Sequence, residues 1–258
     1  MLLHLQTWPD VETYLETSQG IIIPIGSTEQ HGPNGLIGTD AICAEVIGRG
    51  VGEATGALVA PTIAVGMAQH HMAFTGSMTL KPSTLIAVLR DTVESLARHG
   101  FRRFYFVNGH GGNIATINAA FSEIYAQASL ARDGNGASTG GAGKGNEAGI
   151  RCRLKNWWEA PQVVPISKEL YGDAEGSHAT PSEVSLTWHI YPQAARPMTL
   201  EPAIAPRGGF TDAADYRRRF PDGRIGSNPG LASIEAGKRF YDAAVAGLAE
   251  DYRGWVAE

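Results

Sequence analysis

The sequence predicts an α/β fold, with a single layered domain and a mainly parallel β-sheet flanked by helices. Strand-like apolar segments alternate with helical segments through most of the 258 residues. Helices of this length can cross over between parallel neighbours, so the alternation indicates βαβ units. Polar clusters follow directly after two of the apolar runs, where open α/β sheets place their sites. The length suits one large domain, covering residues 1–258.

The first half of the chain contributes two strands and a helix. The apolar run from Gly20 to Ile25 reads as a buried strand. A helix is predicted from Thr39 to Glu53, with Thr39 as its N-cap and Gly56 beyond its end. The small and branched residues from Leu58 to Val65 predict the next strand.

A second helix is predicted to begin after Ser83 as N-cap and to end before Gly100. Its apolar residues recur at helical spacing, at Leu85, Val88, Leu89, Val93 and Leu96. The segment from Phe104 to Val107 then reads as a strand, and the segment from Ile114 to Ala128 reads as a helix.

The last third carries weaker patterns. Short apolar patterns predict a strand at Ile150 to Leu154 and a regular element at Glu183 to His189. The alanine-rich stretch from Ser233 to Trp255 predicts a helix. Residues 133–149 are almost entirely Gly, Ala, Ser, Asn and charged residues, a composition that cannot bury a core. We therefore expect a flexible surface loop there, within the single domain.

Composition excludes several functional classes. The net charge is −5, and no Lys/Arg cluster suggests a nucleic-acid partner. No apolar run approaches a membrane span, and the N-terminus lacks the pattern of a signal peptide. The two cysteines, Cys43 and Cys152, fall in a predicted helix and a predicted strand, so two buried thiols are expected. These features together predict a cytoplasmic protein.

The loop after the first strand carries the richest chemistry. Glu29 and His31 are two residues apart, and Asp40 follows nine residues later. Carboxylates and imidazoles are donors that a zinc-like or manganese-like cation prefers. The alternative is a polar turn with Asp40 capping a helix.

A second polar cluster, Asn108 to Asn113, follows the strand at Phe104 to Val107 and contains His110. Glycines on both sides of His110 permit a sharp turn and close approach of another group. Its spacing fits neither a P-loop nor a dinucleotide fingerprint, although a phosphate-cradling loop or a plain turn stays an alternative.

Two further segments hold candidate site residues. Glu175, His178 and Glu183 lie on a Gly- and Pro-containing segment that a solvated loop would also explain. In the adjacent pair His70-His71, the two side chains point in different directions, and we expect His71 to face the site and bind substrate.

Taken together, these clusters resemble the creatininase (creatinine amidohydrolase) family. The matching blocks run in order from about residue 20 to 245: 29–33 with Asp40, 71–76, 108–113, 178–183 and 225–238. The resemblance implies a layered α/β fold, hydrolysis of a C–N amide-type bond, a metal site at the carboxyl edge of the sheet and often a homohexamer. It implies one or two divalent cations per chain, either Zn2+, Mn2+ or Fe2+.

The resemblance also carries ligand positions over to this sequence. Metal ligands are implied at Glu29, His31, Asp40 and His110, with Asp40 as the bridge between two ions.

Creatininase itself places a further ligand Glu two residues after the His of its Asn-Gly-His motif, where this chain has Gly112. Branches of the family with a His-Gly-Gly-Asn loop suggest Glu183 as the replacement. With Glu183 included, three carboxylates and one hydroxide balance two divalent cations.

The predicted reaction is attack of a metal-activated water on an amide carbon. We expect His178 to move the proton to the leaving nitrogen, with Glu175 as a second candidate for that role. Gly112 favours a substrate other than creatinine, such as a formamide, a cyclic ureide or a short peptide. The alternative from another class is a catalytically silent homologue that binds a metal or metabolite. Small amides are the predicted partners, with no nucleic acid and no membrane.

Overall fold

The computed structural model describes residues 1–130 and 149–258. The strands are Gly20–Ile25 (β1), Leu58–Val59 (β2), Arg103–Asn108 (β3) and Arg151–Asn156 (β4). The helices are Trp8–Leu15 (α1), Thr39–Thr55 (α2), Pro82–His99 (α3), Ile114–Leu130 (α4), Val163–Leu170 (α5), Pro181–Ile190 (α6), Ala213–Arg219 (α7) and Ile234–Val256 (α8). Except for Gly149, the loop predicted at 133–149 lies outside the described residues.

The four strands form one parallel sheet in the order β2-β1-β3-β4. In register, Ile25 pairs with Asn108, and Asn108 pairs with Asn156. The carboxyl ends of β1, β3 and β4 are therefore level with one another, and the loops that follow them leave from the same edge. The predicted α/β class with a parallel sheet is confirmed.

Helices cover both faces of the sheet, because alternate residues of each strand point to opposite sides. Ile22 and Tyr105 pack in one buried cluster with residues of α2 and α8. Ile21 and Phe104 pack in a second cluster with residues of α3 and α4. With both faces buried, the apolar runs of β1 and β3 are continuous rather than alternating in polarity.

Two predicted helix starts need correction. Thr39 is the first residue of α2 and Gly38 its N-cap, because the Thr39 hydroxyl donates to the Leu36 carbonyl instead of capping the helix. Lys81, not Ser83, is the N-cap of α3, since Pro82 occupies the first helical position. Proline suits that position because its missing N–H would have had no partner within the helix.

The second strand is much shorter than predicted, with β2 limited to Leu58–Val59. Beyond Val59, the N–H of Ala60 still donates to the Ile22 carbonyl of β1, and only an isolated bridge between Ile25 and Ile63 follows. The other predicted segments of the last third are confirmed. The segment from Ile150 to Leu154 falls largely in β4, the segment from Glu183 to His189 falls in α6, and Ser233 is the N-cap of α8.

Both cysteines are free, but only Cys43 is buried; Cys152 is partly exposed, contrary to expectation. Among the helices of residues 1–130 and 149–258, none combines the length and apolarity needed to cross a membrane.

Candidate metal centre

The predicted metal ligands come from four separate elements that meet at the carboxyl edge of the sheet. Glu29 and His31 lie on the loop after β1, Asp40 in the first turn of α2, His110 after β3 and Glu183 in the first turn of α6. Four of these side chains are buried, and that of Glu183 is 12% exposed. Two carboxylates thus lie at helix N-termini, where the helix dipole favours negative charge.

A glycine brings α2 against the end of β3. A Cβ atom on Gly109 would lie 2.1 Å from the Asp40 carbonyl oxygen, so no side chain fits there. This close approach places the Asp40 side chain beside His110.

Asp40 lies between two imidazoles. Its Oδ1 is 2.9 Å from Nε2 of His31, and its Oδ2 is 3.0 Å from Nδ1 of His110. Each carboxylate oxygen therefore faces a different histidine, an arrangement that suits a carboxylate bridging two cations.

The second nitrogen of each imidazole is held by a backbone carbonyl. Nδ1 of His31 lies 3.1 Å from the carbonyl oxygen of Glu29, and Nε2 of His110 lies 3.0 Å from that of Met67. A carbonyl can only accept, so these nitrogens carry the hydrogens, and the nitrogens facing Asp40 keep their lone pairs when the rings are neutral. Metal-ligating histidines are oriented in this way.

Donor atoms within 4.8 Å of one another form three groups among the described residues. The first contains Glu29, Asp40 and His110, and the second contains His31, Asp40 and Glu183. The two groups share Asp40. A third group joins Glu29 and His31 to His178.

The electrostatics reflect a surplus of buried negative charge. Burial lowers the pKa of His31, but Asp40 and Glu183 outweigh this effect and raise the pKa to about 10. The same balance, with Glu29 and Asp40 as neighbours, raises the pKa of His110 to about 9. Burial raises the pKa of Glu183 to about 7. Without a cation, the centre thus retains protons that a divalent ion would displace on binding.

Two buried carboxylate oxygens indicate whether the centre fits a cation. Oε1 of Glu29 and Oδ2 of Asp40 are buried, and neither accepts a well-aligned hydrogen bond from the described residues. Uncompensated buried carboxylate oxygens are costly unless a cation pairs with them. The oriented imidazoles and these oxygens therefore fit a divalent metal.

The remaining predicted site residues lie around this centre. Nδ1 of His178 is 3.8 Å from Oε1 of Glu29, and the His178 ring stacks on that of His71. Nε2 of His71 is 3.0 Å from the same oxygen, so His71 contacts a candidate ligand. Glu175 lies apart from the three donor groups, where it accepts a hydrogen bond from Ser182. Burial raises the pKa of Glu175.

A cavity of about 1070 Å3 opens onto the centre. Asp40, His71, His110, Glu175, His178 and Glu183 line its inner part, and Trp157, Trp158, Val164 and Phe210 contribute apolar side chains to the lining. Trp157 therefore packs in the hydrophobic core and also lines the cavity.

Sequence reasoning missed Gln30, which is buried between its neighbours Glu29 and His31 and contacts both His71 and His178. It also missed Tyr216, whose hydroxyl lies 3.4 Å from the Gln30 amide nitrogen. The position of Gln30 between two candidate ligands could have drawn attention to it, whereas nothing in the sequence links Tyr216 to this loop.

A parallel α/β sheet with carboxylates and imidazoles converging at its carboxyl edge is the architecture of a candidate metalloenzyme. A family model described as "Creatininase: Creatinine amidohydrolase" matches residues 4–252. The chain belongs to the creatininase family of metal-dependent amidohydrolases.

Relatives differ in the substrates that their names give. A mycofactocin precursor peptide peptidase of Mycobacterium tuberculosis is 28% identical over 256 residues, covering 94% of this chain and 88% of its own. A similar peptidase of Mycobacterium ulcerans is 36% identical over 177 residues, or 65% of each chain. The creatinine amidohydrolase of Pseudomonas putida is 25% identical over 267 residues, covering 96% of this chain and 94% of its own.

Solved structures confirm the fold. A creatininase described as "Creatininase Mn" aligns with a TM-score of 0.80 at 24% identity, covering 100% of this chain and 99% of the other. A second structure, described as "Crystal structure of creatinine amidohydrolase (creatininase)", aligns with a TM-score of 0.76 at 24% identity. The alignment covers 97% of this chain and 95% of the other.

Proposed function

We propose that this chain hydrolyses the C–N bond of an amide at a centre of one or two divalent cations. Glu29, Asp40 and His110 would hold one ion, and His31, Asp40 and Glu183 the other. The observation that carries the proposal is the position of Asp40 between two imidazoles whose outer nitrogens are fixed by carbonyls. Zn2+, Mn2+ and Fe2+ all suit these donors.

When bound, the cation would activate a water and polarise the substrate carbonyl. His178, whose side chain is 11% exposed, borders both the cavity and Glu29. It would accept a proton from the attacking water and give it to the leaving nitrogen as the C–N bond breaks. Glu175 on the cavity wall is the second candidate for proton transfer, and His71 would contact the substrate from the inner part of the cavity.

The cavity favours a substrate larger than creatinine. Its volume of about 1070 Å3 is slightly above the range for small-molecule sites, about 300–1,000 Å3. The apolar lining residues Trp158, Val164 and Phe210 would cover an extended group next to the scissile bond. Two relatives are named as peptidases. We therefore propose a linear peptide amide as substrate, ahead of a formamide or a cyclic ureide.

Elemental analysis combined with an amide panel tests this proposal. The purified protein should contain one or two divalent cations per chain and should cleave short peptides faster than creatinine. An N-formyl amide and a cyclic ureide in the same panel distinguish the other substrates. Full metal content without hydrolysis of any member would favour the silent, metal-binding homologue.

Two further properties are proposed, one from the family resemblance and one from the composition of the chain. A homohexamer is one of them, and light scattering during gel filtration measures it directly. A cytoplasmic location is the other, and the two free cysteines support a reducing compartment. Cell fractionation tests the location.

A further inference from the structure

The buried side chain of Gln30 lies between the two histidines that border the metal centre. Its amide nitrogen is 2.9 Å from Nδ1 of His71 and 2.8 Å from Nε2 of His178. The same nitrogen is 2.9 Å from the carbonyl oxygen of Gly223. The amide oxygen accepts a hydrogen bond of 2.8 Å from the backbone N–H of Gly32.

These backbone partners fix the orientation of the amide. The N–H of Gly32 can only donate, so it must face the amide oxygen of Gln30, and the carbonyl of Gly223 must face the nitrogen. If the amide were flipped, its nitrogen would face the N–H of Gly32 and its oxygen would face the carbonyl of Gly223, and neither pair could form a hydrogen bond. A Cβ atom on Gly223, where φ is +87°, would lie 1.9 Å from the amide oxygen, so only glycine fits against this side chain.

The amide has one hydrogen left for the histidines. Of its two hydrogens, one is given to the Gly223 carbonyl. Nε2 of His178 also lies 2.8 Å from the backbone carbonyl oxygen of Gln30, an atom that can only accept. His178 therefore carries its hydrogen on Nε2 and cannot accept the remaining one. Of the two acceptors that remain, Nδ1 of His71 at 2.9 Å is nearer to the amide nitrogen than the Tyr216 hydroxyl at 3.4 Å, so that hydrogen is directed to His71.

The consequence for His71 is a fixed tautomer. Because Nδ1 accepts from Gln30, a neutral His71 carries its hydrogen on Nε2, 3.0 Å from Oε1 of Glu29. The N–H group of His71 thus lies next to a candidate metal ligand. The Nδ1 lone pair of His178 is left free, 3.8 Å from the same carboxylate oxygen.

We propose that the Gln30 amide is a positioning residue that fixes His71 in the tautomer with its hydrogen on Nε2, the nitrogen that lies 3.0 Å from Glu29. The inference deepens the proposed function, on which its kinetic consequence rests. It also identifies Nδ1 as the atom through which His178 exchanges protons. When Nδ1 takes a proton from water, Nε2–H stays bonded to the Gln30 carbonyl. The proton then passes to the leaving nitrogen, so the ring ends as it began.

Nitrogen-15 NMR of histidine-labelled, zinc-loaded protein tests the tautomer directly. We expect the wild-type His71 ring to be protonated on Nε2 and unprotonated on Nδ1. In Gln30→Glu the ionised side chain has no hydrogen to give, so His71 should switch its hydrogen to Nδ1. A wild-type His71 protonated on Nδ1 would overturn the proposal without any variant, even if the variants fail to fold.

Kinetics at saturating zinc provide the second readout. For Gln30→Glu and Gln30→Met we expect kcat on the best panel substrate to fall about 10–100-fold, the usual effect of losing a residue that orients a metal ligand. KM should change little, because Gln30 does not line the cavity. Unchanged kcat in both variants would contradict the proposal.

Matched controls separate positioning from stability. Gln162→Met makes the same exchange at an exposed amide that bonds Glu250. Asn34→Ala removes a buried amide that donates to the Pro229 carbonyl, and it should lower Tm while leaving the His71 tautomer unchanged. If the wild type cleaves no amide at all, the proposed function fails, while the NMR result still decides the role of Gln30.

Discussion

A Cβ atom on Gly112 would lie 2.3 Å from Nε2 of His110. It would also lie 2.7 Å from the Met67 carbonyl that orients this imidazole. The loop therefore has no room for a side chain at the position where the family resemblance implies a ligand Glu in creatininase. Glu183 approaches the centre from the first turn of α6 instead, with Oε1 3.8 Å from Nε2 of His31.

We predict that Gly112→Ala disturbs the metal centre, whereas Gly111→Ala does not. The added methyl group would displace His110, and overpacking of this kind costs about 1–3 kcal/mol. A Cβ atom on Gly111 meets nothing within 4 Å, which makes it the matched control. Metal content and Tm measure both variants. Equal metal content in the two would show that the loop shifts without affecting His110.

We predict that Asp40→Ala loses more metal than any other single ligand variant, because Asp40 belongs to both donor groups. Elemental analysis after dialysis against metal-free buffer measures the loss. Cys43→Ala serves as a control, since it empties space in the same helix and removes no donor from these groups. Full metal content in Asp40→Ala would contradict the assignment of the centre.

We predict that Glu183→Ala loses about one ion per chain and retains the other. The group of Glu29, Asp40 and His110 stays complete, whereas that of His31 and Asp40 loses its third donor. Because Glu183 also accepts from the backbone N–H of Thr180 at the start of α6, Glu183→Gln is the milder companion. Retention of all metal in both variants would exclude Glu183 as a ligand.

We predict that His178→Ala keeps its metal while kcat falls by about 10²–10⁴, the usual effect of losing a general acid–base group. Metal content and kcat measured on the same preparation test this. His178 also lies within reach of Glu29 and His31, so loss of metal in His178→Ala would instead make it a ligand. Glu175→Gln, compared in the same assay, shows whether Glu175 shares the proton transfer.

We predict that creatinine is at best a poor substrate. The missing ligand position at Gly112 and the large cavity both differ from what a compact cyclic substrate requires. Assays should compare creatinine with a short peptide at the same enzyme concentration. Creatinine turnover with a kcat in the ordinary range of about 1–10³ s⁻¹ would show the inference to be wrong.

The sequence by itself determined the fold class and the segments that carry the chemistry. Continuous apolar runs such as β1 and β3, separated by helices, leave few arrangements other than a parallel sheet buried on both faces. The carboxyl ends of parallel strands share one edge, so the proximity of Glu29 and His110 also followed from sequence. The ends of individual strands and helices were predicted less reliably, because neighbouring residues favoured different end positions. The branched residues after Leu58 predicted a strand longer than the observed β2, and Pro82 occupies the first position of α3, so that Lys81 and not Ser83 is its N-cap.

Only the tertiary structure decided how these side chains face one another. Asp40 lies between two histidines because Gly109 lets α2 approach β3, a contact between residues far apart in sequence. The orientation of Gln30 depends on Gly223, which is separated from it by most of the chain. Sequence periodicity reports which face of an element is buried. It carries no information on which backbone carbonyl meets which ring nitrogen, and that hydrogen bonding fixes the chemistry of this site.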